Sequence, residues 1–152
     1  MSQVVWITGA SGGIGVEVAK LLAQKGWTIV ASARDGENLE RTTSGIEGIH
    51  ILPVDVTDEV AMRNVANQIK SEYGRLDGFV HAVGSILLRP LHATSLDQFQ
   101  DTLNLNLTSA FIAMKYSVPI MLSSGGGRVV LFSSVAAKVG MPNHSSIASA
   151  KA

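Results

Sequence analysis

Eight residues near the amino end, Thr8-Gly9-Ala10-Ser11-Gly12-Gly13-Ile14-Gly15, constrain this chain more than any other stretch, and four of them are glycine. They follow the short apolar run Val4-Val5-Trp6-Ile7. They precede a segment from Ile14 to Lys25 with apolar residues at 14, 18, 21 and 22, a helical spacing that stops at Gly26. Strand, glycine turn and helix in that order form a nucleotide-binding start. Glycine allows the tight turn and lets the backbone approach a pyrophosphate, whose charge meets the free N–H groups of the helix. No Gly-Lys-Ser/Thr follows, so the turn is not the phosphate loop of nucleoside triphosphatases.

The rest of the chain repeats the alternation. Trp27 to Ala33 reads as a second strand, the polar stretch after it as a short helix and turn, and His50 to Val54 as a third strand, which Pro53 places at a sheet edge. Thr57-Asp58-Glu59 caps a helix to about Tyr73. Leu76 to Val83 is the fourth strand. Ser95-Leu96-Asp97-Gln98 opens a long helix to about Leu122, with Pro119 predicting a bend or an early stop. Arg128 to Phe132 is the fifth strand, and a last helix starts near Ser145 or Ser146. Such βαβ units are right-handed and give a doubly wound α/β fold, a parallel sheet in the order 3-2-1-4-5 with helices on both faces. Residues 1–152 make one domain, and ligands bind at the carboxyl ends of its strands.

Composition narrows the function. Hydrophobic residues make up 46% and charged residues 16%, enough apolar material for a packed core. Twelve basic residues balance twelve acidic ones, which gives no electrostatic case for nucleic acid or a membrane surface. Cysteine is absent, the start lacks the basic and apolar regions of a signal peptide, and no uninterrupted apolar stretch approaches bilayer length. The expected setting is the cytoplasm.

With these motifs in place, the chain resembles the short-chain dehydrogenase/reductase family along nearly its whole length. The glycine loop has the family's Gly-x-x-x-Gly-x-Gly spacing. Asp55-Val56 resembles the adenine-side Asp-hydrophobic pair, and His81-Ala82-Val83-Gly84 stands where the family has Asn-Asn-Ala-Gly, keeping its terminal glycine and losing both asparagines. The resemblance implies a Rossmann-type fold and a nicotinamide cofactor bound by Gly9, Ser11, Gly13, Ile14, Gly15, Arg34, Asp55, Val56, Ala82, Val83, Gly84 and Lys151. Arg34 after the second strand can accommodate a 2′-phosphate, whereas an acidic residue there would read the ribose hydroxyls of NAD. NADP is therefore expected over NAD, although Gly12 stands where the family's other basic marker would be. No metal is expected.

The resemblance also implies a catalytic set: Asn106 on the long helix, Ser134 after the fifth strand, and Lys151. The family's tyrosine, four residues before that lysine on one helix face, is here Ile147. Isoleucine has no proton to give. His144 is a candidate general acid, or a loop histidine without a role. Two functions follow: a carbonyl/alcohol oxidoreductase, or a nucleotide-binding pseudo-enzyme with the cofactor as structural or regulatory ligand. An assembly partner without cofactor carries least weight, because the glycine loop is intact. The family's domain continues past residue 152 with further strands and a substrate-covering segment, so these residues are expected to be part of a longer protein. A homodimer or homotetramer is expected through the long helix and the last one, since Leu103, Leu105, Leu107, Phe111, Ile112 and Met114 put apolar groups on several faces.

Overall fold

The computed structural model of the protein describes residues 2–152. Its centre is β1, Val4–Thr8, in which all five residues are buried. It pairs in parallel with β2, Thr28–Ser32, on one side and with β4, Gly78–His81, on the other. β3, Ile49–Ile51, and β5, Arg128–Leu131, complete a five-stranded sheet in the order β3-β2-β1-β4-β5.

Alternation along the strands divides the core into two layers. Val4, Trp6, Val30 and Phe79 face a cluster with Met62, Val65, Ile69, Ile112, Ala113 and Ile120, supplied by α3, Glu59–Tyr73, and α5, Ser109–Ser123. The intervening Val5, Ile7, Ile29, Ala31 and Val80 face Ala19 of α1, Gly13–Ala23, and Leu39 of α2, Gly36–Thr43. Trp6 and Phe79 meet edge to face at 5.4 Å between ring centres. The central strands β1, β2 and β4 are thus covered on both sides, which is why they read as largely apolar runs.

Helix boundaries follow local chemistry. Asp35 caps α2 by accepting from Asn38 N at 3.0 Å, and Asp58 caps α3 by accepting from Ala61 N at 2.9 Å. α3 stops at Gly74, in the left-handed region with φ 67°. Ser95 and Gln98 form a reciprocal capping box at the start of α4, Leu96–Leu103. The last helix, α6, spans Ser145–Lys151.

Three sequence expectations need correction. Strands β2 to β5 are each shorter than their apolar runs, because the flanking residues turn toward the cleft or into loops. Pro119 does not stop its helix, which continues to Ser123. Pro119 and Lys115, whose carbonyl loses a partner to the ring, are both exposed, so water can take that bond. The long helix is also not uniform: α4 passes into α5 through a π-helical turn, Asn104–Thr108. The whole of it, Leu96–Ser123, is long and apolar enough to cross a bilayer, yet Ile112, Ala113, Ile120 and Met121 pack it onto the sheet. Of the six apolar residues expected at an interface, Ile112 lies in the core and Leu105 packs against it, while Leu107 and Phe111 are exposed.

The glycine loop is seated by contact with β4. Gly9 has φ 74°, and a Cβ there would lie 2.6 Å from the Ala82 carbonyl oxygen. Gly13 has open space where a Cβ would go. Gly9→Ala is therefore expected to destabilise the protein by about 1–3 kcal/mol, the usual cost of overpacking, and Gly13→Ala by much less. Urea unfolding of the two variants checks the contrast.

Candidate functional site

At the carboxyl ends of the strands a cavity of about 270 Å³ runs across the sheet, lined by Gly9, Ser11 and Gly12 of the glycine loop, Arg34 after β2, Asp55 after β3 and Gly84 after β4. The loop's geometry follows from two close approaches. Gly9 lies on Ala82, and a Cβ on Gly15 would run into the Gly9 carbonyl. Helices α2, α3 and α4 each begin under a side-chain cap, but α1 begins at Gly12 with none. Its first-turn amides are left for an anion.

At the far side of this cavity, Asp55 accepts from Thr57 N at 2.9 Å and Thr57 Oγ1 at 2.7 Å. Those bonds, with the Arg34 charge adding a smaller effect, hold its carboxyl below the usual range. Arg34 is exposed and has no ion pair among the described residues. The neighbouring carboxylate, Asp35, is turned to capping α2. This donor set suits a dinucleotide: open amides for a pyrophosphate, a guanidinium for a further phosphate and a carboxylate for an amino group.

A second cavity, about 390 Å³, adjoins the first at Gly84 and is lined also by Ser85, Ile86, Asn106, Ser134, Ile147 and Lys151. The π turn presents Asn106, which is 2% exposed. Its Nδ2 donates to the Thr102 carbonyl at 3.0 Å, and its Oδ1 accepts from Ser85 N at 3.2 Å. Lys151 Nζ donates to the Val83 carbonyl at 3.5 Å, and burial lowers its pKa. A Cβ on Gly84 would lie 2.9 Å from Asn106 Oδ1 and 3.4 Å from Lys151 Nζ, so glycine alone leaves these groups their places. Ser134 Oγ accepts from Ala136 N at 3.2 Å, whereas Ser133 Oγ donates to the Lys151 carbonyl at 2.7 Å and so anchors α6.

The residues singled out from sequence divide accordingly. Gly9, Ser11, Arg34, Asp55, Val56, Ala82, Val83 and Gly84 line the first cavity, and Ser134, Asn106 and Lys151 meet in the second. Gly13, Ile14 and Gly15 line neither: Gly15 is buried against Gly9, and Ile14 is 57% exposed at the start of α1. His144 lines neither cavity; its Nδ1 bonds the Pro142 carbonyl at 2.6 Å. Ala33, Val54 and Leu105 are lining residues that the sequence reading missed. The first two follow β2 and β3, at the ends of the apolar runs, a signal available from topology, but Leu105 faces the cavity from a π turn that apolar spacing does not reveal.

His81 is buried beneath both cavities, at the end of β4. Its Nδ1 lies 2.7 Å from Thr8 Oγ1 and its Nε2 3.1 Å from Ser109 Oγ. Ser109 Oγ in turn donates to the Leu105 carbonyl at 2.5 Å. The Ser109 proton is committed there, and the Thr8 hydroxyl lies closer to Nδ1, at 2.7 Å, than to the Val80 carbonyl, at 3.4 Å, so Nε2–H donates to Ser109 and Nδ1 accepts from Thr8. Burial, helped by the Lys151 charge, pushes the ring down to about 4.

An α/β dinucleotide cleft joined to a Ser–Asn–Lys cluster defines a class of nicotinamide-dependent dehydrogenases. The family model for short chain dehydrogenase matches residues 3–152, and the chain belongs to that family. It is 37% identical to the uncharacterized oxidoreductase YxjF of Bacillus subtilis over 98% of this chain. It is 34% identical to D-threitol dehydrogenase of Mycolicibacterium smegmatis over 93%. The chain spans 60% and 56% of the lengths of these two relatives. Among solved structures, an ElxO variant with NADPH bound superposes with a TM-score of 0.92 at 29% identity, covering 99% of this chain and 63% of that one. Levodione reductase superposes at 0.90 with 28% identity, covering 98% and 60%.

The His81 ring titrates lower in the folded protein than its ordinary 6.5, so the unfolded chain binds the extra proton first as pH falls. Its stabilising effect is complete above 6.5 and is lost between 6.5 and about 4. Over that window stability should fall by about 3 kcal/mol on this account. Urea unfolding across it, with His81→Gln showing a flatter dependence, is the measurement.

Proposed function

We propose that this protein is an NADP(H)-dependent oxidoreductase interconverting a small carbonyl compound and its alcohol. The observation that carries the reading is the junction of the two cavities at Gly84, with the dinucleotide donor set on one side and Ser134, Asn106 and Lys151 on the other. The α1 amides, Arg34 and Asp55 would hold the cofactor, and Lys151 would grip its ribose. The choice of NADP is supported by Arg34 lining the cavity unpaired while Asp35 is engaged at α2. When bound, the cofactor supplies or accepts hydride.

The remaining chemistry belongs to the chain. Ser134 donates a hydrogen bond to the substrate oxygen as charge develops on it. Asn106 and Lys151, facing one cavity, hold a water that delivers the proton, with Lys151 tuning its acidity. Ile147, 4% exposed, forms an apolar wall where a tyrosine would donate directly. His144, bonded to Pro142 outside the cavity lining, is the poorer donor. The family assembly through the long helix is supported by Leu107, Phe111 and Leu122, which are 50%, 59% and 72% exposed.

Arg34→Ala is expected to weaken NADPH binding on the order of 10- to 100-fold, a charge-assisted bond of roughly 1.5–3 kcal/mol, and to leave NADH binding nearly unchanged. Fluorescence titration of the two cofactors reads this, and equal weakening would remove the NADP assignment. Ile147→Tyr is expected to raise carbonyl reduction by about 10²–10⁴, the usual contribution of a positioned general acid. If NADPH binds to both proteins and neither reduces a carbonyl panel, the oxidoreductase reading fails. Sedimentation should show a dimer or tetramer that Phe111→Glu shifts toward monomer; a wild-type monomer at high concentration would remove that part.

A further inference from the structure

A closed circuit of contacts joins the cleft to the interior of the sheet, and His81 is its meeting point. In one direction the chain runs from His81 through Val83, whose carbonyl receives Lys151 Nζ, to Ser85, whose N–H donates to Asn106 Oδ1. In the other direction His81 Nε2 reaches Ser109 Oγ, which ends the π turn that carries Asn106. Ser109 N–H bonds the Asn104 carbonyl five residues back, while its hydroxyl donates to the Leu105 carbonyl four residues back. The hydroxyl thus takes the carbonyl that an α-helical N–H at 109 would have used. Thr8, at the end of β1, holds the other edge of the ring. His81, Asn106 and Lys151 also share the wall of a further cavity of about 280 Å³, below the cleft.

We propose that His81 is a positioning residue: as the neutral Nε2–H tautomer it locks the π turn through Ser109, and thereby holds Asn106 and Lys151 at the cleft. A ring with one acceptor nitrogen and one donor nitrogen on opposite sides is needed, because Thr8 and Ser109 lie on different elements and offer opposite partners. Protonated, the ring would present two donors, and the Thr8 hydroxyl would have to turn away from Nδ1. An aromatic ring of the same shape would fill the space and make neither bond. The proposal rests on the oxidoreductase reading only for what Asn106 and Lys151 do once placed.

Two measurements on the full chain test it. Long-range ¹H–¹⁵N correlation on histidine-labelled protein at neutral pH should show His81 with a protonated Nε2 and a bare Nδ1. An Nδ1–H tautomer or a cation would overturn the assignment. The second follows the pH midpoint at which Lys151 is modified by an amine reagent, located by peptide mass analysis. His81→Phe and Ser109→Ala should each raise that midpoint toward that of an exposed lysine, and the double variant should raise it no further than either alone. An unmoved midpoint, or additive shifts, would show that the ring only packs. Should His81→Phe fail to fold, Ser109→Ala alone decides by the same midpoint. NADPH titration of the same proteins keeps the two readings apart: a wild type that binds no NADPH defeats the proposed function, while the tautomer and the coupling still report on His81.

Discussion

The site depends on one close backbone approach, that of Gly9 to Ala82 at the end of β4. It brings the loop that starts α1 against the strand that leads to Gly84, so the open amides of α1 and the Ser–Asn–Lys cluster share one cleft. No side chain could stand between them. Gly15 repeats the requirement one turn later, against the Gly9 carbonyl. The glycine-loop end of the cleft is therefore a property of backbone packing, and Arg34 and Asp55 add its charged groups.

The helix that supplies Asn106 shows how a local irregularity serves a site. The buried face of α5 carries Ile112, Ala113 and Ile120, and Leu105 of the π turn packs against the same cluster. The π turn rotates the residues before it relative to that face. Asn106 thereby bonds both the Thr102 carbonyl and the Ser85 N–H while lining the second cavity. Ile147 departs from the polar character of its neighbours: it is buried, apolar and one turn from Lys151. The desolvation that lowers Lys151 arises in this partly apolar wall.

The strand order, the layers and the placement of the glycine loop were legible in the sequence because they follow from local pattern. Apolar runs alternate with amphipathic segments, Asp58 and Ser95 announce helix starts, and parallel crossovers have one hand. The positions of Arg34, Asp55, Ser134 and Lys151 at the cavities were legible because each follows a strand or lies at a helical spacing from a marked position. Leu105 was not, because it faces the cleft from a π turn, whose contacts with His81 and Ser85 come from distant parts of the chain. Nor did Pro119 stop its helix early, since α5 packs against the sheet on both sides of it and runs on to Ser123.

The sequence by itself determined the order of strands and helices and the end of the sheet at which the candidate residues fall, since period, turn glycine and caps act within a few residues. Tertiary structure alone decided the roles of His81 and His144, which look alike as lone histidines. One is held between Thr8 and Ser109, 73 and 28 positions distant along the chain, and burial keeps it neutral. The other bonds a carbonyl two residues away at the edge of α6 and stays outside the cavity linings. The difference is long-range packing, which sets dielectric and partners, and neither is written in a residue's immediate neighbours.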